Sequence, residues 1–236
     1  MNFYDQIYEQ RWAKAELEKV SKVWETLVKS FFQPLVGENT KTLDIGCGFC
    51  HFLNHLQAKE KVGVDANPGA GRYASSDVTF YYSDDLSLNT LPNHYFDCVF
   101  ISNFLEHLES STHIMNLLWR VKEMLRPGGK LIILQPNFRL LGAAYFDFID
   151  HKTILTDKTL EEALAIVGFA IERKIIRFLP YTTKSRIPQH PMLVRLYLWC
   201  KPLWFLMGKQ SLFVATSPTS TIAIEQSRPA SVTRDD

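Results

Sequence analysis

Apolar residues recur at steps of three and four through residues 8–36, where Trp12, Leu17, Val20, Val23, Trp24, Leu27 and Val28 fall on one stripe. That spacing predicts an amphipathic helix, and Gly37-Glu38-Asn39 ends it. The pattern then changes to short apolar runs. Strands are expected at 41–45, 61–65, 78–82, 96–101, 131–134, 170–178 and 211–216. Helical spacing returns at 50–58 and again at 112–126, where Pro127-Gly128-Gly129 is the stop signal. A third helix starts at Thr156 or Asp157 and closes at Gly168. Pro68, Gly69 and Gly71 weaken any helix after the second strand. Alternating strands and helices imply an α/β, Rossmann-like parallel sheet with helices on both faces. The almost wholly apolar run 131–134 suits a strand covered on both sides.

Polar residues cluster where the strands end. Asp44 and Gly46 close the first strand, Asp65 the second; Asp84 and Asp85 follow the third. Asn103, Glu106 and His107 follow the fourth, and Gln135, Pro136 and Asn137 the fifth. Ligands of such sheets bind beyond the carboxyl ends of the strands. Gly46-Cys47-Gly48 therefore reads as a turn that lets a nucleoside approach the backbone, with helix N–H groups beyond it. Asp65, nineteen positions past Gly46, suits the two ribose hydroxyls. Asp84 suits either the adenine amino group or the orienting of a nearby backbone N–H. A nicotinamide dinucleotide fits less well, because its G-x-G-x-x-G pattern requires glycine where this chain has His51. Asp44 would also repel a pyrophosphate.

These segments together resemble a known family. LDIGCGFC (43–50), VGVDANP (62–68), SDD (83–85), FDCVFISNFLEHL (96–108) and LRPGGKLII (125–133) look like a class I S-adenosylmethionine-dependent methyltransferase over about residues 40–170. The resemblance implies a seven-stranded sheet with an antiparallel last strand at 211–216. It places Asp44 and Gly46 near the methionine moiety, Asp65 at the ribose and Asp84 at the adenine. Phe104 flanks the ligand after the fourth strand. Cys47, Gly48, Ala66, Asp85 and Asn103 complete the expected cofactor set. Cys50 stands where the family pattern usually has a third glycine, which implies altered packing there.

Composition narrows the partners. Lys and Arg number 26 against 25 Asp and Glu, giving a net charge of +1, so no general field favours a nucleic acid. The first residues lack a leader pattern, and the four cysteines read as reduced thiols, so a cytoplasmic protein is expected. Cys47-Gly48-Phe49-Cys50 is a C-x-x-C, but its place inside a nucleotide turn argues against redox catalysis. Cys98 and Cys200 complete no zinc site, and no metal is expected.

Methyl transfer to a hydroxyl gains from a base. His107 is one candidate. Asp150-His151 is the other, with the aspartate orienting the imidazole. His51, His55, His94 and His113 read as surface residues. Residues 180–209 form a long insert on the cofactor side, with Tyr181, Arg186 and Tyr197 at its rim. Its stretch 192–207 is rich in Leu, Trp, Tyr and Phe but is interrupted by Arg195, Lys201 and Pro202. That pattern suits a covering helix, an apolar acceptor channel or an interfacial helix rather than a membrane span.

The expected organisation is a helical cover at 1–36, with Tyr4, Tyr8 and Trp12 closing over the cofactor; a methyltransferase domain at 37–216; and a flexible tail at 217–236. The leading function is methylation of a small molecule, with a sugar or lipid-linked hydroxyl as acceptor and peripheral membrane contact as an option. The alternatives are a non-enzymatic cofactor-binding or regulatory protein and an NAD-dependent dehydrogenase.

Overall fold

The computed structural model describes residues 6, 14–85, 88–181 and 190–219. One sheet contains β1 (Lys41–Ile45), β2 (Glu60–Asp65), β3 (Val78–Tyr82), β4 (Phe96–Ser102), β5 (Leu125–Pro136), β6 (Ala170–Leu179) and β7 (Gln210–Thr216). The strand order is β3-β2-β1-β4-β5-β7-β6. All pairs from β3 to β5 are parallel, and β7 runs antiparallel to both β5 and β6. The chain winds outward from β1 in one direction and resumes at β4 in the other. A crevice therefore opens beyond the carboxyl ends of these two central strands.

The helices are α1 (Lys14–Leu27), α2 (Gln33–Val36), α3 (His51–His55), α4 (Ser111–Met124), α5 (Phe138–Leu141), α6 (Asp157–Val167), α7 (Pro191–Trp199) and α8 (Lys201–Met207). A π-helical turn at Val28–Phe32 joins α1 to α2. Strand alternation divides the core. Leu43, Val64, Val99, Ile101, Leu131 and Ile133 pack toward one face, where α4 and α6 supply Leu117, Val121, Leu160 and Leu164. Cys98, Phe100, Ile132, Leu134 and Val214 pack toward the other, against Leu27 and Phe32 and the inward side of α7 and α8.

Local chemistry sets the element ends. Thr156 and Thr159 form a reciprocal capping box at the start of α6. Gly168, at φ +87°, takes the left-handed position that ends it. The Ser110 side chain accepts from the His113 N–H at the start of α4.

Several expectations change. The helix expected at 50–58 spans only His51–His55. Cys50 enters it in the left-handed region, and Lys61 Nζ takes the Leu53 and Leu56 carbonyls at its end. β5 begins at Leu125 rather than 131, so the Pro-Gly-Gly signal lies within the strand. There the ladder with β4 shifts register between Phe96 and Cys98. The insert contains two helices, α7 and α8. Ser217, expected in a loose tail, is buried and donates its N–H to Gly129 O. Tyr4, Tyr8, Trp12, Arg186 and the tail from 220 lie outside the described residues.

Candidate functional site

The turn after β1 is pinned to β2. Gly46 and Cys47 both donate their N–H to Val64 O, at 2.9 and 3.1 Å. Gly46, Gly48 and Cys50 all have positive φ, at 74, 51 and 54°. Asp65, at the end of β2, closes the turn from outside: Oδ2 accepts from Gly48 N and Oδ1 from Asn67 N, each at 2.7 Å. Each oxygen keeps a further lone pair. Burial raises the Asp65 carboxyl above its ordinary range, against these two N–H donors.

Asp44 is buried, yet it lines the cavity beside the turn. Desolvation pushes its carboxyl well above the usual value, and Cys50 and Asp65 push the same way. A positively charged ligand would reverse that effect. Cys47 and Cys50 place their sulfurs 3.7 Å apart as free thiols. Their mutual hydrogen bond, together with burial, holds the Cys47 thiol well up.

The remaining expected cofactor residues sit around the same opening. Ala66, Asp84, Asp85, Asn103 and Phe104 all line the cavity. Asp84 is exposed at the rim and accepts from Tyr82 Oη at 2.9 Å. Asn103 adopts φ +49° and donates through Nδ2 to Ser102 Oγ. Its buried Oδ1 has no hydrogen-bond partner.

A second polar group stands beside the turn. His107 Nδ1 lies 2.9 Å from Asp150 O and 3.4 Å from Asp150 Oδ2. A carbonyl only accepts, so Nδ1 carries the proton and a neutral ring presents a bare Nε2. The aspartate–imidazole arrangement expected within Asp150-His151 is thus found between Asp150 and His107. Fold contacts, not sequence adjacency, bring these two together: Lys152 and Thr153 donate their N–H groups to Glu106 O. His151 is buried, with Nε2 3.5 Å from Tyr181 Oη and 3.9 Å from Glu106 Oε1.

Glu106 was absent from the expected catalytic set. It is almost fully buried, held by Gln135 Nε2 at 2.9 Å, and raised by desolvation. Its Oε1 faces both imidazoles, at 4.0 and 3.9 Å. The sequence signal was the acid directly before His107 at a strand end. Glu106, His107 and His151 bring three potential ligand atoms within 4.8 Å of one another. A group able to hold a cation is therefore built from these residues rather than from the cysteines.

His51 also departs from expectation. It lines the cavity, stacks on Phe49 with centroids 5.7 Å apart, and is lowered to about 4 by burial. Tyr181 lies at the rim as expected. The Tyr197 hydroxyl turns away to donate to Phe178 O at 2.6 Å, so this residue anchors the insert.

One cavity of about 920 Å³ joins these features. It runs from Asp44 and Gly46 past His107 and His151 to Leu193, Leu196, Leu203 and Met207. Val20 and Trp24 of α1 form another part of its wall.

Residues 43–133 match the family model described as a methyltransferase domain. The seven-stranded sheet has the fold of class I methyltransferases. A solved S-adenosylmethionine-dependent methyltransferase from Archaeoglobus fulgidus shares the domain's fold, with a TM-score of 0.64 at 22% identity, covering 91% of this chain and all of that one. Another from Mesorhizobium loti has a TM-score of 0.59 at 19% identity, covering 81% and 97% of the two chains. A tRNA U34 carboxymethyltransferase from Pseudoalteromonas atlantica is 32% identical over 105 residues, 41% of this chain. The match spans about a third (32%) of that relative's length. The residues around the methyltransferase turn fit S-adenosylmethionine. The buried Asp44 is uncompensated by positive charge, Asp65 has spare acceptor capacity, and Asn103 Oδ1 awaits a donor.

Proposed function

We propose that the protein methylates a hydroxyl of an amphiphilic small molecule, such as a sugar or lipid-linked acceptor, using S-adenosylmethionine. The observation that carries this reading is the single cavity, polar at the β1 turn and apolar beneath α7 and α8. When bound, S-adenosylmethionine supplies a methyl group activated on a sulfonium sulfur. Asp44 faces its positive charge, and Asp65 accepts from the ribose hydroxyls. Asp84, Asp85 and Ala66 border the adenine side, while Phe104 and Asn103 flank the ligand.

His107 is the base in this reading. Its Nε2 would take the proton that the acceptor hydroxyl loses on methylation, the donor being left as a neutral thioether. Asp150 holds the ring, and Glu106 stabilises the imidazolium that results. His151 and Tyr181 wall the acceptor side. The apolar acceptor wall supports this substrate class over the tRNA named for the curated relative.

The test is methyl transfer from labelled S-adenosylmethionine to a panel of sugar and polyprenyl-linked hydroxyl compounds. His107→Asn should lower turnover roughly 10²-fold or more, the usual range for loss of a general base. Donor affinity should stay within a few-fold of wild type. Tight donor binding with no turnover across the panel would instead favour a binding or regulatory role.

A further inference from the structure

The helix pair α7–α8 has two apolar sides. Val194, Leu198, Leu203, Trp204 and Met207 pack on the core, and Tyr197 is tied to Phe178 O. On the other side Met192, Trp199, Phe205 and Leu206 remain 68–82% exposed. Met192 and Trp199 are seven positions apart, two helical turns, with the exposed Leu196 between them. An outward stripe of this size calls for a partner.

Charge identifies that partner. Between Glu172 and Glu225 the sequence contains eight Lys or Arg residues and no Asp or Glu. The net charge of the chain is only +1, so the rest of it carries an excess of acid. Arg195 and Lys201 stand exposed on the two helices themselves. Arg177 lies over the Phe205 ring, 5.1 Å from its centroid, and donates to Phe205 O. Glu25 of α1 lies near enough to Arg195 for the guanidinium to lower its carboxyl, but Lys201 and Arg177 add to the positive side. An anionic bilayer is met by such an excess of cations beside aromatic and aliphatic side chains. No helix among the described residues is long and apolar enough to cross a membrane, which suits attachment in the interfacial plane.

We infer that α7 and α8 dock the protein on an anionic phospholipid surface, with Trp199, Phe205 and Leu206 entering the interface and Arg195 and Lys201 facing the headgroups. Val194, Tyr197, Leu203 and Met207 of the same pair line the cavity, and the half-exposed Leu196 stands at its edge. The docked face is therefore one side of the acceptor wall. Docking itself does not depend on the methyl-transfer reading; only the route of the acceptor does.

The experiment is co-sedimentation of the full chain with phosphatidylcholine vesicles, with and without about one third phosphatidylglycerol. Wild type should bind the anionic vesicles at least about tenfold more tightly, and added salt should weaken binding. Trp199→Glu with Phe205→Glu should lose binding by a similar factor, with the thermal unfolding profile retained. If that variant does not fold, Arg195→Glu with Lys201→Glu is used instead, since it alters only exposed charge and should abolish the anionic preference. Wild type that ignores both vesicle types would overturn the inference. So would binding that survives both sets of substitutions. A dimer in solution that these substitutions dissociate, with no vesicle binding, would assign the face to a second copy of the chain and also overturn it. Failure of the donor reading is separately visible as absence of S-adenosylmethionine binding by wild type.

Discussion

The ring of Phe104 occupies the space beside Gly46: a Cβ built there would lie 2.6 Å from Phe104 Cγ. The two residues follow β1 and β4, the neighbouring strands at which the sheet reverses order. A side chain at position 46 would therefore displace the residue that flanks the ligand opening. Gly46 also has φ +74°, which costs an L-residue about 1 kcal/mol or more. Gly46→Ala should lower donor affinity more than tenfold and reduce the melting temperature. Adding Phe104→Ala should return part of the lost stability by removing the overlap, but not the part due to φ. Calorimetry and thermal melts of the two single variants and the double variant check this. Additive losses would show that the ring does not set the glycine requirement.

Asp65 has two duties. Besides its proposed contact with the ribose, it accepts from Gly48 and Asn67. Hydrogen bonds to a charged group contribute roughly 1.5–3 kcal/mol each. Asp65→Ala should thus weaken donor binding and also destabilise the protein by about 3 kcal/mol or more. Denaturant unfolding with and without S-adenosylmethionine separates the two effects. Unchanged stability would mean that the turn holds without this brace.

Asp44 links donor affinity to pH. In the free protein its carboxyl is raised well above the ordinary range by burial. A cationic ligand favours the ionised form and lowers that value. Between the free and bound values, binding releases a proton. Affinity should therefore be constant above the raised value and fall as pH drops below it. Titration calorimetry in buffers of different ionisation enthalpy measures the released proton directly. Asp44→Asn should abolish the release and weaken binding.

His51 gives the fold itself an acid sensitivity. Burial holds its folded value near 4, below the ordinary 6.5. The unfolded chain therefore binds the proton first. The associated stability is complete above about pH 6.5 and is lost as pH falls toward 4, with no further loss below. At about 1.4 kcal/mol per unit, the whole step is at most about 3.5 kcal/mol. His51→Phe keeps the ring against Phe49 and should remove this step from a pH series of chemical unfolding.

The legible parts of the chain were those controlled by local chemistry. Thr156 with Thr159 and Gly168 mark α6 at both ends, and the apolar runs of β1, β4 and β5 follow directly from burial on both faces. The ends of the strands also showed where the ligand opening would form. What escaped was conformational or long-range. Nothing in a one-letter pattern shows that Cys50 takes a left-handed backbone and shortens α3. Asp150 and His107 lie 43 positions apart, and only the folding of the loop after β5 back onto Glu106 brings them into contact. His51 was read as surface because a polar residue near a turn resembles it, and only tertiary packing half-buries this one against Phe49.

The cavity's walls come from different parts of the chain. Its donor end is assembled from residues 44–104, while its apolar end is built by α1 and by the α7–α8 pair, with α1 packed against α7. The residues that line the polar end and those that form the apolar end are thus separate in sequence, although they share one space. Substitution in the two flanking segments can change the shape offered to an acceptor while every strand of the donor half stays as it is. A protein built this way has a division of labour written along its chain: the polar end of its cavity comes from the middle, and the apolar grip from the two stretches on either side of it.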